Sequence, residues 1–417
     1  MTPANAPAHD PYAVLRIPQY RLFIAARLCL TLALQIQAVV VGWQVYAITK
    51  DALSLGLIGL AEAIPSIVVA LYAGHVADHT SRKKIIVSCV LVLLLCSAGL
   101  LVYTTDLGLL LKQQGLLPVY AVIFLSGIAR GFIGPAIFSF MPQIIHNKEL
   151  YGNAVSWNTT IWQCASVAGP AIGGLVYGFW GITASYGVDV GLTFLAALFF
   201  ILIPARPLPV SAGKLKIKES LLTGLRFVFS NQVLLSAISL DLFAVLFGGA
   251  VVLLPIFAAE ILHTGPEGLG LLRAAPAVGS VLMAVYITHR PVRAHAGRKM
   301  LLCVAGFGGC MILFGLSTSF WLSLTVLALS GAFDSISVII RSTLMQLLTP
   351  EHLKGRVSSV NNIFVGSSNE IGAFESGVAA KLMGAVAAVV FGGCMTLSVV
   401  GFTAWKAQKL RKLQLYQ

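Results

Sequence analysis

The chain has 417 residues, of which 58% are hydrophobic and only 10% charged, and it carries a net charge of +13. A water-soluble protein has about 25% charged residues, so this composition excludes a soluble enzyme or binding domain. The excess of basic residues is first read as a nucleic-acid footprint, and the positions of the charges remove that reading, as follows.

Apolar residues come in runs of about 20, the length that crosses a bilayer as a helix. Twelve runs follow one another, at 22–47, 55–77, 85–105, 117–140, 152–178, 182–204, 231–259, 267–288, 300–318, 320–343, 357–383 and 386–405. In hydrocarbon each backbone polar group must be satisfied within its own segment, so the predicted fold is an all-α polytopic membrane protein of twelve transmembrane helices. The expected organisation is a cytoplasmic segment at 1–20, a six-helix half at 21–204, a cytoplasmic linker at 205–230, a second six-helix half at 231–405 and a basic tail at 406–417. Of the 28 lysines and arginines, 21 fall on the side of the two termini, three (Lys50, Lys112, Lys381) on the other, and four (Arg27, Arg130, Arg273, Arg341) inside runs. This bias predicts that both termini are cytoplasmic and makes the charge a topology signal.

In chain order, no apolar core precedes the first run, so no cleaved signal peptide is expected. The first run carries Gln35, Gln37, Trp43 and Gln44, a polar group suited to a substrate cavity. Glu62 stands three residues before Pro65 in the second, where it could serve a kinked helix. Arg130 lies in the fourth run, Asp189 in the sixth and Asp241 about ten residues into the seventh. Arg27 and Asp189 are expected near span ends, snorkelling to the interface. Between the halves, a proline-rich stretch from Pro204 precedes KLKIKESLLTGLRFVF, which reads as an amphipathic surface helix. The tenth run holds Asp334 and Arg341, and the eleventh Asn361, Asn362, Asn369, Glu370 and Glu375. Ionisable groups at membrane depth usually face a cavity or a partner, so Asp241, Arg130, Asp334, Arg341, Glu370 and Glu62 are the candidate coupling residues. Asn158, Asn361 and Asn362 join Gln35, Trp43 and Gln44 as candidate substrate-cavity residues; a static ion pair is the competing role for Arg130 and Asp334, and helix packing for the asparagines.

An internal repeat supports the two-half organisation. Met141–Gly174 and Met345–Gly377 align without a gap from Leu150 and Leu353 onward at an offset of 203, which superposes Gly152 on Gly355, Asn158 on Asn361, and Gly174 on Gly377. A separate match sets Ser126-Gly127-Ile-Ala-Arg130 on Ser330-Gly331-Ala-Phe-Asp334 and so places a cation and an anion at equivalent points. Duplicated membrane halves are the mark of secondary transporters.

Six motifs carry a family resemblance. Gly74-His-Val-Ala-Asp78-His-Thr-Ser-Arg82-Lys83 resembles the loop signature of the major facilitator superfamily, with Gly74, Asp78, Arg82 and Lys83 in register. Arg130 with Gly134 is similar to the superfamily's fourth-span R-x-x-x-G, and Ala165-Ser-Val-Ala-Gly169-Pro170-Ala-Ile-Gly173-Gly174 to the fifth-span motif of its exporters. Leu240–Gly249, Gly268–Pro276 and Thr349–Val357 resemble the drug:proton antiporter branch that includes the enterobactin exporter. The resemblance implies a cavity lined by spans 1, 4, 7 and 10, proton-driven export, and a bacterial inner-membrane location. It further implies a gate formed by Asp78, Arg82 and the Gly169–Gly174 region. The expected partners are the lipid bilayer, a small molecule and protons, with a monomer as the expected state.

No enzyme is expected: the runs contain no H-E-x-x-H, no protease-spaced aspartate pair and no serine–histidine–acid set. No metal or cofactor is implied by the seven cysteines, which form no CxxC, and no Walker motif points to ATP drive. The leading expectation is a proton-coupled exporter of small amphipathic compounds, drugs or a siderophore. The alternatives are an uptake permease or lysophospholipid transporter of the same fold, or, in another class, a channel or transporter-like sensor.

Overall fold

The computed structural model describes residues 10, 12–145, 147, 150–204, 217–289, 295–350 and 353–411. The first helices are α1 (Pro18–Thr49), α2 (Ala52–His79), α3 (Arg82–Thr104) and α4 (Leu117–Ile144). The helix Tyr151–Leu202 is 52 residues long and is divided by Gly181, whose φ of 80° only glycine adopts readily, into α5 (151–180) and α6 (182–202). α7 runs Gln232–Gly248, breaks at Gly249 and continues as a 3₁₀ turn Ala250–Leu253, the short Leu254–Ile256 and a π turn Phe257–Ile261. α8 (Pro266–His289), α9 (Ala296–Leu316), α10 (Phe320–Leu348), α11 (Lys354–Met383) and α12 (Ala385–Lys406) complete the fold.

Ten of the described helices are long and apolar enough to cross a membrane. The 52-residue helix counts once among them yet crosses twice, and α11 is long enough but too polar to be included. Together these give the twelve spans expected from the sequence. The repeat extends beyond the aligned segments. α5 and α11 start at Tyr151 and Lys354, and they end at the positive-φ glycines Gly181 and Gly384, in both cases 203 residues apart.

Within the first half α1 packs on the α5–α6 pair, and α4 on α2 and α3; in the second, α8 packs on α10, and α9 on α10 and α12. The halves meet along α2 with α11 and α5 with α8. Each seam is built on facing glycines. A Cβ on Gly377 would lie 2.7 Å from the Gly56 Cα, and one on Gly174 2.6 Å from the Gly270 Cα. Small residues give membrane helices the close backbone approach that drives their association, because lipid tails offer no hydrophobic drive between them.

Apolar packing is asymmetric along the membrane normal. One cluster joins both halves at the end bearing the α1–α2 and α7–α8 loops, with Val45, Tyr46 and Leu55 from the first half and Leu254, Phe257 and Leu269 from the second. At the end bearing the termini the halves keep separate clusters, one around Phe23, Ile86 and Phe140, the other around Leu234, Met300 and Leu344. Among the described residues the molecule is therefore joined at one end and parted at the other. The described part of the linker, Ile217–Ser230, seats Val228 on Val357 and Val360 of α11. It thus packs on the second half through its apolar face, while the proline-rich stretch at 205–216 lies outside the described residues.

Candidate central cavity

A cavity of about 320 Å³ opens where the halves meet, lined by α1 to α4 from the first half and α7, α8 and α11 from the second. Its walls are mainly apolar, with Val41, Ile58, Val122, Val245 and Val252 among them. Four charged groups, Glu62, Arg130, Arg273 and Glu370, and the polar Gln37, Ser126 and Asn369 interrupt those walls. A few placed polar groups in a largely apolar concavity are the common form of a small-molecule site.

Local packing fixes the first charge pair. A Cβ on Gly127 of α4 would lie 2.7 Å from the Glu62 carbonyl oxygen and 2.9 Å from the Pro65 ring, so α4 presses on α2 beside its proline. Arg130, nearly one turn further along α4, then reaches Glu62 and forms an ion pair. Both side chains remain about a quarter exposed to the cavity. Arg273 crosses the cavity from α8 and donates to the backbone carbonyl of Ala38 in α1. Glu370, on α11, faces α2 at Gly59. The break in α7 adds backbone to the lining through Gly249, whose carbonyl accepts from Ser376 Oγ at 3.4 Å. Irregular backbone at membrane depth is tolerated where it faces such a cavity.

The other sequence-named acids lie elsewhere. Asp241 and Arg341 form an ion pair between α7 and α10 with both side chains 5% exposed, inside the second half and not among the cavity-lining groups. Asp334 interacts electrostatically with both and makes no ion pair among the described residues. Arg130 therefore finds its counter-charge within its own half, on Glu62. Asp189 corrects one expectation. It does not snorkel: it is 1% exposed, accepts from Gln37 Nε2 at 3.4 Å and is also held by Ser97 and Thr193. Arg27 is half-buried, its Nε shielded and without a hydrogen-bond partner among the described residues.

The candidate cavity polars divide. Gln35 packs on Gly169, Trp43 packs against the shared apolar cluster, and Gln44 accepts from the Tyr186 hydroxyl at 2.5 Å within the first half. Asn158 and Asn361, equivalent by the repeat, each bury a side-chain oxygen without a hydrogen-bond partner among the described residues. The side chain of Asn362 lies outside the described residues, as does that of Asp78 in the loop signature, while Gly74 falls within α2. Arg82 donates to the Ser139 carbonyl at 2.9 Å and Lys83 to the Ile201 carbonyl at 2.7 Å, so both cations cap the last turns of α4 and α6. In the exporter-like motif, Gly169 and Gly173 seat α1 at Gln35 and Ile36, while the Pro170 carbonyl and Gly174 meet Gly270 of α8.

At the joined end Asp51 caps α2 through the Ser54 amide at 3.2 Å and pairs with Lys381 of α11 at 3.5 Å. Slight burial works against its charge, but the Ser54 hydroxyl and amide and Lys381 prevail and hold the carboxyl below its usual range. Tyr46 of α1 donates to Glu260 at the end of α7 across the same closure. Arg273 is the cavity group to which sequence reasoning assigned no role. Its signal was present: Glu62-x-x-Pro65 and Arg273-x-x-Pro276 are the same pattern with the charge reversed.

The family model described as "Transmembrane secretion effector" matches residues 9–415. The chain is 27% identical over 376 residues to the enterobactin exporter EntS of Shigella boydii serotype 18, covering 90% of this chain and 88% of that protein. It is 26% identical over 384 residues to EntS of Citrobacter koseri, covering 92% and 90%. Among solved structures, an auto-inhibited POT family peptide transporter superposes with a TM-score of 0.72 at 12% identity, over 96% of this chain and 98% of that one. A bacterial homologue of the iron transporter ferroportin superposes with a TM-score of 0.71 at 18% identity, over 96% and 100%. The chain is a transporter that belongs to the transmembrane secretion effector family of the major facilitator superfamily.

Proposed function

We propose that the protein is a secondary active exporter that works by alternating access and exchanges inward-moving protons for an outgoing amphipathic compound. The observation that carries this reading is the pairing of a charged central cavity with packing that joins the halves at one end only. With the termini in the cytoplasm of a bacterial inner membrane, the parted end faces the cytoplasm and the conformation is inward-open. An outgoing compound would enter from that side, and rocking about the glycine seams would expose it to the other. The largely apolar walls favour an amphipathic cargo, and the likeness to enterobactin exporters adds catecholate siderophores to lipophilic drugs as classes to try.

The coupling groups in this reading are Glu62 and Arg130 in the cavity, with Glu370 beside them. A carboxylate that loses its arginine when a proton arrives supplies the exchange a proton-driven carrier needs. The test is accumulation of a labelled compound in energised inverted vesicles. Uptake that a protonophore collapses supports the reading. Uptake indifferent to the proton gradient but driven by a sodium gradient, or none with any compound, contradicts it.

A further inference from the structure

The two halves contain related helix joints, each a glycine pressed on a proline-bearing helix, with the charges exchanged in sequence. In the first half Gly127 presses on α2 at Glu62 and Pro65; in the second a Cβ on Gly331 would lie 2.6 Å from the Pro276 Cα of α8. The serines beside these glycines behave alike, Ser126 donating to the Ile123 carbonyl at 2.9 Å and Ser330 to the Leu327 carbonyl at 2.7 Å. Glu62 and Arg273 each stand three residues before their proline, and Arg130 and Asp334 three residues after their glycine. Glu62 is thus the counterpart of Arg273, and Arg130 of Asp334. The first half makes its acid–base pair. Among the described residues the second half does not: Arg273 reaches across to the Ala38 carbonyl, and Asp334 sits beside Asp241 and Arg341.

We propose that Arg273 is a positioning residue of transport that exchanges partners between the two access states, the Ala38 carbonyl in this conformation and the Asp334 carboxylate in the opposite one. The inference rests on the alternating-access reading. Rocking that draws α8 away from α1 removes the carbonyl from a guanidinium at membrane depth, and a group so placed must be paired again. Glu62, Glu370 and Arg130 all lie within electrostatic reach of Arg273. Glu62 is already held by Arg130, and Glu370 Oε2 is turned toward α2, 3.6 Å from where a Cβ on Gly59 would stand. α10 instead packs directly on α8, where Gly331 seats on the Pro276 carbonyl three residues past Arg273 and Asp334 stands nearly one turn further along α10. The first half then holds in this conformation the kind of pair that the second half forms only in the opposite one.

The experiment measures distances in the full chain in lipid nanodiscs, with spin labels at Phe138→Cys and Leu347→Cys in a background without the native cysteines. Both side chains are exposed, at 79% and 54%, and they stand on α4 and α10 toward the parted end. Wild type should show a long distance and a shorter, closed one. Asp334→Asn should deplete the closed population about tenfold, in the range of ordinary coupling between sites. The exchange Arg273→Asp with Asp334→Arg should restore the closed population to the wild-type level or above, since the pair returns while the Ala38 contact does not. Arg273→Lys, which keeps the charge, should stay close to wild type. Closed populations unchanged by Asp334→Asn, depleted instead by Glu370→Gln, or not recovered by the exchange would overturn the proposal and leave alternating access standing. A single long distance in every variant, wild type included, would remove the second state and both readings with it.

Discussion

Glu62 with Arg130 and Asp241 with Arg341 are similar ion pairs in different surroundings, and the surroundings predict opposite phenotypes. Asp241 and Arg341 are 5% exposed and packed within one half, so Asp241→Asn removes the ion-pair partner of a guanidinium in the protein interior and leaves it only its electrostatic interaction with Asp334. Breaking such a pair costs about 3–5 kcal/mol, and replacing all of the grouped charges by apolar residues of similar volume recovers most of it. The detergent-solubilised Asp241→Asn protein should therefore melt well below wild type, while Asp241→Leu with Arg341→Met and Asp334→Leu should melt close to it. Glu62 faces the cavity, about a quarter exposed, where water can reach it. Glu62→Gln should keep the melting temperature within a few degrees and lower proton-driven transport by at least about tenfold. Equal melting losses in Glu62→Gln and Asp241→Asn would contradict this division.

At the scale of the helices, glycine contacts decide where the molecule is joined. Gly174 and Gly270 on one seam and Gly56 and Gly377 on the other leave no room for a methyl group, whereas nothing lies within 4 Å of a Cβ on Gly366. Gly174→Ala should loosen the joined end, cost about 1–3 kcal/mol of stability and impair transport, and Gly366→Ala should be close to silent. Gly181→Ala tests a different property, because its φ of 80° penalises any L side chain although the space is open. A loss of about 1–2 kcal/mol in thermal unfolding is expected there, and the same at Gly384. The spans were legible because hydropathy reports them directly, even α11, whose asparagines and serines make it the most polar. The break in α7 was not. Gly248 and Gly249 were visible, but whether a helix bends or stops there depends on Phe307, Thr396 and Ser376, which arrive from elsewhere in the chain.

For the whole molecule, the duplication read from Met141–Gly174 and Met345–Gly377 gave the two halves, and the structure extends it to the glycines that close α5 and α11. The site was legible only as a set of intramembrane charges. Sequence position does not say which of two acids shares a helix face with an arginine, so Arg130 was matched with Asp334 by symmetry while the folded chain pairs it with Glu62. Asp189 sits near the middle of a short span whose ends a hydropathy run blurs, and Gln37, from the far end of the half, is what holds it. The asymmetry between the joined and parted ends is a property of tertiary packing alone and has no sequence signal.

In the proposed exchange a compound leaves as a proton enters through a cavity organised by Glu62 and Arg130. Its most direct test is proton movement in energised inverted vesicles, read with a pH-sensitive dye while lipophilic drugs and catecholate siderophores are added in turn. Wild type should release protons on addition of a transported compound, and Glu62→Gln and Arg130→Ala at matched expression should not. Transport of the same compound without proton release, or release that survives in both variants, would contradict it.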